Sequence, residues 1–420
     1  MALARLVVRA LAAAAAFAAL LACQVSPVED ACQAQLGLSP LQCGKVAELL
    51  LPETLPAPRG NAFGDHPAAA ELGFAIFFDA RFSANQEVRC ASCHEPEAHF
   101  DDDEARSTQG LGVVRRNSPT LLNAAWHRDL FWDGRADSLW SQALFAFEAP
   151  NEMGFTRLGI AHRVAQSYRN AYQAIFGPLP DLDDDARFPA AGRPGDPAFD
   201  GMSLDDQRAV NEIAANVGKA LEAYTRKLAA GRSRLDAWLL GDDGALSDEE
   251  QQGLKVFVQV GCIACHTGPL LSDQAYYNLG VPEPEGAPLD EGRALGARVV
   301  ADNVFSLRGP FADGPPDDVP TVEALLAEAE APESLGAFRT PSLRNLRLSP
   351  PYLHNGSLVS LEDAVRHHLE GGASSGFAGE VDPRLVSTML DDEELDALFA
   401  FLVSLEGAYP GVPWNNWPDR

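Results

Sequence analysis

Residues 88–97 read VRCASCHEPE, and residues 260–269 read VGCIACHTGP. In each stretch two cysteines lie three positions apart and a histidine follows the second one: Cys90, Cys93 and His94, then Cys262, Cys265 and His266. Two thiols with this spacing on one turn can form thioethers to the two vinyl groups of a haem, and the adjacent histidine can then ligate the iron. The two stretches therefore predict two covalently bound c-type haems.

Other chemistries of paired cysteines explain the two motifs less well. A dithiol redox site would need a thioredoxin-like βαβ pattern, and none surrounds Cys90 or Cys262. A zinc site would need four ligands, which the two motifs could supply only together. They lie far apart in the chain and each carries its own histidine, so a shared zinc ion is a poor explanation.

The N-terminus predicts export. Arg5 and Arg9 form a short basic region ahead of an apolar run that ends at Ala22, so residues 1–22 are typical of a signal peptide. The sequence LLAC (20–23) resembles a bacterial lipobox, which predicts a lipid anchor on Cys23; the alternative is ordinary cleavage that leaves Cys23 as a free thiol. Gln24 favours the outer membrane. We expect a protein on the periplasmic side that contacts the membrane only through this anchor.

Two cysteines, Cys32 and Cys43, belong to neither haem motif nor the lipobox. An oxidising periplasm permits a disulfide between them. The alternative is a pair of unpaired buried thiols, which is less expected outside the cytosol.

The chain is strongly acidic. Its 420 residues include 32 Lys and Arg against 60 Asp and Glu, a net charge of −28. Loss of Arg5 and Arg9 with the signal peptide would make the charge −30. Nucleic acid is excluded as a partner, because its phosphates require a cationic surface. A cationic partner protein is favoured, although acidic runs can simply solvate a surface.

Hydrophobic periodicity predicts a mainly α fold with two haem domains. We expect an N-terminal linker over residues 23–65, one haem domain over 66–245 and a second over 246–420, with an insertion at about 282–335. A long helix is predicted from Asp206 to Leu240, and the capping box of Ser247 and Glu250 opens the helix that leads into the second motif. A closing helix is predicted from Asp392 to Leu405.

Several blocks resemble the bacterial di-haem cytochrome c peroxidases. They are GFAIFFDARFS (73–83), RRNSPTLLNAAW (115–126), LFWDGRADSLWSQA (130–143), PNEMG (150–154), FRTPSLRNLRLSPPYLHNGS (338–357) and LEDAVRHHLEGG (361–372), together with both haem motifs. The resemblance covers roughly residues 66–405. It also extends to the MauG-type enzymes, which oxidise a residue on a partner protein.

The resemblance implies two cytochrome c-like domains whose haems face a shared interface. The N-terminal haem would meet H2O2, and the C-terminal haem would relay electrons from a small cytochrome c or copper protein. A MauG-like enzyme that oxidises Trp or Tyr of a partner remains an alternative, as does a di-haem electron-transfer module without enzymatic activity. Members of the family often dimerise, so a homodimer is compatible with this interpretation.

The resemblance also implies roles for individual residues. Trp132 corresponds to the tryptophan between the haems, whereas Gln142 and Glu152 correspond to the polar pair above the peroxidatic iron. Glu152 would move a proton between the two peroxide oxygens. The last implied group is a calcium site between the domains, formed by Asn117 with carbonyl groups near Thr340 and Pro341.

The sequence departs from the peroxidase pattern in the loop before the RRNSPT block. Many relatives carry there a histidine that caps the peroxidatic iron at rest, and the aligned residue is Gln109. Without a ligand in this loop, the N-terminal haem would be five-coordinate and ready for peroxide, as in the MauG-type enzymes.

The relay haem needs a second axial ligand on the helix that contains HH (367–368). Leu361, Ala364 and Val365 form its apolar face, and His368 is the next member at helical spacing. The same position matches the family's ligand, so we predict a bis-histidine haem with His266. The polar-flank His367 and the more distant Met389 are weaker candidates, and His354 is expected to be a hydrogen-bond donor near the ligands.

Overall fold

The computed structural model describes residues 27–314, 316–411 and 414. The predicted signal peptide and the lipid-anchor residue Cys23 lie outside this range. Within it, the structure is mainly helical, and no helix is both long enough and apolar enough to cross a membrane.

The helices in the first half of the chain are α1 Pro27–Leu36, α2 Pro40–Ala47, α3 Pro67–Phe77, α4 Cys90–Cys93, α5 Leu139–Glu148, α6 Arg157–Ser167, α7 Arg169–Phe176, α8 Pro197–Asp200, α9 Leu204–Thr225 and α10 Arg234–Leu239. Those in the second half are α11 Asp248–Gln259, α12 Arg293–Asp302, α13 Val322–Glu330, α14 Leu361–Glu370 and α15 Asp392–Ser404. Two short strands, β1 Tyr276–Tyr277 and β2 Phe338–Arg339, form an antiparallel pair.

The first hydrophobic core is built around α9, which packs against α3, α5 and α6. Helices α3 and α9 cross at Gly73, where an added Cβ would lie 2.0 Å from the carbonyl oxygen of Ala220. Only glycine allows the two backbones to approach this closely, and the crossing fixes the helix that leads to the first haem motif. Cys90 packs against this core.

The second core is formed by the crossing of α11 and α15. Gly253 of α11 lies against the backbone of Ala397, and Phe257 packs on Phe401 with ring centres 5.2 Å apart. The capping box of Ser247 and Glu250 starts α11, as predicted. Because α11 ends at Gln259, it delivers the second haem motif directly onto this core.

The segment predicted as a linker is folded where the structure describes it. Helices α1 and α2 are joined by the disulfide between Cys32 and Cys43, which confirms that hypothesis. Their apolar side chains belong to the second core, beside Trp238 and Leu239 of α10. Helices α1 and α2, which precede the predicted first domain, and α10, near its end, therefore pack on the core that carries the second haem motif. Such short amphipathic helices need an apolar surface to cover.

The long helix predicted from Asp206 to Leu240 is two helices. Helix α9 ends at Thr225, and α10 starts after the capping box of Ser233 and Asp236. The break lets the chain leave the first core and enter the second one. Asp236 is fully buried there in a salt bridge with Arg344, 2.7 Å apart, a tertiary contact that sequence periodicity does not reveal.

The insertion at 282–335 contains α12 and α13, which pack against each other. Arg293 at the start of α12 donates a hydrogen bond to the carbonyl oxygen of Gly134 (3.0 Å) and pairs with Glu328 of α13. The insertion therefore covers the FWDGRA block of the first domain.

Candidate haem sites and the peroxidatic pocket

The second motif presents one histidine with a defined orientation. His266 follows the short 3₁₀ turn Cys262–Ala264, and its Nδ1 lies 2.9 Å from the carbonyl oxygen of Leu271. This hydrogen bond fixes the ring and leaves Nε2 available as a ligand, the arrangement common to metal-binding histidines. Burial lowers the pKa of His266 to about 4, so the ring is neutral and can donate its lone pair.

His368 faces His266. Helix α14 follows the N-cap Ser360 and ends at the C-cap Gly371, which has the left-handed conformation. The Nδ1 atom of His368 lies 2.7 Å from the carbonyl oxygen of Ala364, and the ring centres of His266 and His368 are 6.4 Å apart. Two imidazoles that share one iron, each with a nitrogen–metal bond of about 2 Å, need about this separation.

The neighbouring candidates do not share this geometry. The Nε2 atom of His367 lies 2.8 Å from the carbonyl oxygen of Leu279, so this nitrogen already has a backbone partner. Met389 is 94% exposed and points away from the core. The structure therefore brings together His266 and His368 and leaves the two alternatives outside.

A cavity of about 330 Å³ contains both histidines and both cysteines of the second motif. Its wall includes apolar residues of α14 and α15, among them Val365, Leu398 and Leu402. It also includes the buried guanidinium of Arg339, which forms no salt bridge in the part of the chain that the structure describes. An apolar slot with one uncompensated cation fits a haem, whose propionates carry negative charge.

The first motif has the same local design. The Nδ1 atom of His94 lies 3.1 Å from the carbonyl oxygen of Phe100, and burial lowers the pKa of His94 to about 4. Burial also raises the pKa of the Cys90 thiol to about 12. Redox-active cysteines have lowered pKa values, so the structure is unlike a dithiol exchange site.

Glu152 lies close to the first motif. Its charge contributes to the raised pKa of Cys93, and burial raises the pKa of Glu152 itself, an effect that the nearby cation Arg135 opposes. The backbone of Glu152 is held by the loop in front of it, because the amide of Leu111 donates to its carbonyl oxygen (2.9 Å). The same loop reaches back to the motif, where the Ser107 hydroxyl lies 3.3 Å from the Cys93 sulfur.

Gln109 lies in this loop and points outward. It is exposed, and its side-chain amide donates to a carboxylate oxygen of Glu104 at 2.7 Å. Gly110 is in close contact with the backbone of Asn151 and Glu152, so the loop is packed against the Glu152 segment.

The other two predicted pocket residues occupy different places. Gln142 is half-buried in the first turn of α5. Trp132 lines the cavity of the second motif, and its Nε1–H donates to the carbonyl oxygen of Asn117 (3.0 Å). Since Trp132 belongs to the first domain but contacts the second haem cavity, its indole lies at the domain boundary.

The residues predicted to bind calcium share one cavity wall. Asn117, Thr340 and Pro341 all line the cavity of the second motif. The carbonyl oxygen of Thr340 already accepts a hydrogen bond from Ser272 (2.7 Å), and the Asn117 side chain donates to the carbonyl oxygen of Glu104. These oxygen donors suit a hard cation in kind, but they supply no negative charge.

His354 lines the cavity that contains His266 and His368 and forms a hydrogen bond there. Its ring stacks on Phe338 at 3.6 Å, and its Nε2 lies 3.4 Å from a carboxylate oxygen of Glu283. Asp290 is also close to His354, but both of its carboxylate oxygens accept hydrogen bonds from the Arg116 guanidinium. His354 therefore connects the two domains, because its carbonyl oxygen accepts a hydrogen bond from the Asn117 amide.

Two half-buried C-x-x-C-H motifs, each on its own helical core, define the class of a c-type protein with two haem sites. A family model for di-haem cytochrome c peroxidases matches residues 67–244. The methylamine utilization protein MauG of Methylorubrum extorquens is 31% identical over 84% of this chain and 82% of its own. The cytochrome c551 peroxidase of Pseudomonas aeruginosa is 31% identical over 88% of this chain and 86% of its own.

The fold agrees with these relatives. The crystal structure of a MauG-like protein associated with microbial copper homeostasis superposes with a TM-score of 0.61 at 25% identity, covering 87% of this chain and 97% of that one. The chain belongs to the di-haem cytochrome c peroxidase and MauG family. It is an oxidoreductase of the haem-dependent peroxidase type.

Sequence reasoning missed three functional contacts. Arg339 belongs to the block 338–357, in which the sequence assigned it no role. In the structure its guanidinium is buried, with Nδ1 of His127 2.9 Å away, and its charge is uncompensated by any residue that the structure describes. The carbonyl groups of Phe100 and Leu271 that orient the histidines come from backbone conformation. No residue pattern signals them.

Proposed function

We propose that this protein reduces H2O2 to water at the N-terminal haem with two electrons that enter through the C-terminal haem. The overall reaction consumes two electrons and two protons and yields two water molecules. The observation that carries the proposal is the position of Glu152, a half-buried carboxyl beside the first haem motif whose pKa is raised by its partial burial.

The two haems supply the redox chemistry when bound, and His94 would hold the peroxidatic iron. The chain supplies the proton. A carboxylate in a water-poor pocket can take the proton from one peroxide oxygen and return it to the other, which is the assistance that cleavage of the O–O bond requires. The loop contacts of Leu111 and Gly110 hold the backbone of Glu152 beside the first motif.

Electrons would arrive from the domain of His266 and His368. Trp132 supports this route, because its indole lines the second cavity while its chain belongs to the first domain. Two histidine ligands would give the relay a lower potential than a histidine–methionine pair, since thioether ligation raises the potential.

The test is the rate of reaction of the diferric holoenzyme with H2O2. Glu152→Gln keeps the shape of the side chain but removes the base, so the bimolecular rate constant should fall by ~10²–10⁴. The exposed Glu87 of the same domain provides the control, and Glu87→Gln should leave the rate unchanged. An unchanged rate in Glu152→Gln would contradict the proposal.

The outward position of Gln109 favours a second candidate, a MauG-like enzyme that oxidises an aromatic residue of a partner protein. With no ligand from this loop, the resting N-terminal haem would be high-spin and would react with peroxide before any reduction. A resting electron paramagnetic resonance spectrum with one high-spin and one low-spin haem would support an open site. Inertness until one electron is added would contradict it.

The donor or protein substrate would carry positive charge, in keeping with the net charge of −28. We place the enzyme on the periplasmic side, anchored by lipid on Cys23 to the outer membrane, and the disulfide of Cys32 and Cys43 supports an oxidising compartment. Labelling with a palmitate analogue should be lost in Cys23→Ser. Equal labelling of both proteins would contradict the anchor.

Asn117, Thr340 and Pro341 would hold a calcium ion at the domain boundary, completed by water. Removal of calcium with a chelator should then slow electron transfer between the haems, and added Ca²⁺ should restore it. A homodimer would be compatible with all of these roles.

A further inference from the structure

The chain beyond α15 crosses back to the first domain. Residues 406–411, the C-terminal segment, leave the second core, and the carbonyl oxygen of Ala408 accepts a hydrogen bond from the Gly231 amide at 2.7 Å. Tyr409 then reaches the loop behind the first motif, where its hydroxyl donates to the carbonyl oxygen of Pro96. A segment of the relay domain thus lies over the proximal side of the N-terminal haem site.

Tyr409 is in aromatic contact with the support of the proximal histidine. Its ring is stacked on Phe100, with ring centres 6.2 Å apart and planes inclined by 21°. Phe100 is fully buried and provides the carbonyl oxygen that binds Nδ1 of His94 at 3.1 Å. One hydrogen bond and one ring stack therefore connect the axial ligand to Tyr409, which is 37% exposed.

We propose that Tyr409 is a redox-active residue that carries oxidising equivalents from the N-terminal haem to the protein surface when no electron donor is bound. This inference rests on the proposed reaction with H2O2. Cleavage of one peroxide removes two electrons from the enzyme. Tyr409 returns one of them and releases its phenolic proton to water, becoming a neutral tyrosyl radical that a reductant in solution can repair.

Tyr409 suits this role better than the tyrosine deeper in the same core. Tyr224 is also close to Cys90, but it is fully buried, and its hydroxyl donates to the carbonyl oxygen of Trp414 (2.8 Å). Oxidation of a tyrosine near neutral pH requires loss of its proton, and Tyr224 has no route to water. Tyr409 has that route, and the carboxylate of Glu97 is close to it.

This path for oxidising equivalents through Tyr409 is separate from the electron route through Trp132. Trp132 leads from the first domain toward His266 and His368, whereas Tyr409 lies behind His94 and opens directly to solvent. With two paths for oxidising equivalents, the N-terminal haem can be reduced again even when the relay haem is already oxidised. The expected consequence is protection of the haem from its own oxidant.

The experiment uses the diferric holoenzyme, mixed with a few equivalents of H2O2 without donor and frozen within milliseconds for electron paramagnetic resonance. We expect a tyrosyl radical that changes its hyperfine pattern when the protein is labelled with ring-deuterated tyrosine. The signal should be lost in Tyr409→Phe, which keeps the stack on Phe100. Repeated additions of H2O2 should bleach the haem several-fold faster in this variant.

Tyr352→Phe provides the matched control, because Tyr352 lines the relay cavity and belongs to the other site. The radical should persist in that variant. A radical that survives Tyr409→Phe, or one that is lost only in Tyr352→Phe, would overturn the inference. If the wild-type enzyme does not react with H2O2 at all, the proposed function fails instead, so the two failures are distinguishable.

Discussion

At the scale of single residues, the haem sites depend on which nitrogen of each imidazole is already bonded. His94, His266 and His368 all direct Nδ1 to a backbone carbonyl oxygen, at 3.1, 2.9 and 2.7 Å. Their Nε2 atoms are therefore left for iron, and their rings cannot rotate freely. His367 has the opposite arrangement, which explains why two adjacent histidines on α14 have different roles.

Substitution of His368 should change the relay haem alone. His368→Ala removes the second axial ligand, so the low-spin signal of the C-terminal haem should be replaced by a high-spin one. His367→Ala is the matched control on the same helix and should retain the low-spin signal. Electron paramagnetic resonance of the two diferric variants measures this, and the reverse pattern would place the ligand on the other side of α14.

The raised pKa of Glu152 predicts the pH dependence of the reaction with H2O2. The carboxyl acts as a base only when ionised, and burial shifts its ionisation above that of an ordinary glutamate. The rate constant of the wild-type enzyme should therefore fall as the pH decreases, with a midpoint above 4.5. Glu152→Gln should lose this dependence, whereas a midpoint below 4.5 would disagree with the burial of the group.

At the scale of elements, each haem motif depends on a helix crossing that only glycine permits. Gly73 joins α3 to α9, and Gly253 joins α11 to α15. In both pairs the glycine belongs to the helix that precedes a motif. The close crossing therefore determines how closely the two cysteines and the histidine of each motif pack against the hydrophobic core.

Gly73→Ala should destabilise the first domain. The added methyl group would lie 2.0 Å from a backbone oxygen of α9, so the helices must separate, and such overpacking costs ~1–3 kcal/mol. Gly44 of α2 is the control, since it has open space around it and Gly44→Ala should stabilise its helix by ~0.5–1 kcal/mol. Urea unfolding of the holoproteins measures both. Equal effects would show that the crossing tolerates a side chain.

At the scale of the whole molecule, two buried acidic groups of the first domain lower its free energy of unfolding at neutral pH. Glu222 in the last turn of α9 is 3% exposed, and one of its carboxylate oxygens has no hydrogen-bond partner in the described chain. Burial raises the pKa of Glu222 to about 7. Burial raises the pKa of Asp101 in the same way, also to about 7.

These shifts predict that stability falls as the pH rises. Below pH 4.5 Glu222 is protonated in the folded and unfolded states. Between that pH and about 7 only the unfolded chain ionises, so the free energy of unfolding decreases by roughly 1–3 kcal/mol over this window. The buried histidines titrate with the opposite sign, so the test compares two proteins. Between pH 5 and pH 8, the free energy of unfolding in urea should rise in Glu222→Gln relative to the wild-type protein. The exposed Glu212 of the same helix gives the control, and Glu212→Gln should behave like the wild-type protein.

Much of this protein could be predicted from its sequence, because local patterns carry the information. The two C-x-x-C-H motifs, the capping box of α11 and the apolar face of α14 that ends at His368 are all set within one or two helical turns. Helical periodicity, together with the match to the family's ligand position, placed His368 rather than His367 toward the haem site. Such features need no knowledge of distant contacts.

The rest was decided only in the tertiary structure, because it depends on contacts between residues far apart in the chain. The burial of Asp236 with Arg344 divides the long predicted helix, and the second core recruits α1 and α2 from a segment predicted as a linker. Likewise, the uncompensated charge of Arg339 and the stack of Tyr409 on Phe100 follow from how the two domains fold back on each other. A sequence pattern specifies which surface is apolar, but the partner that covers it is chosen by packing.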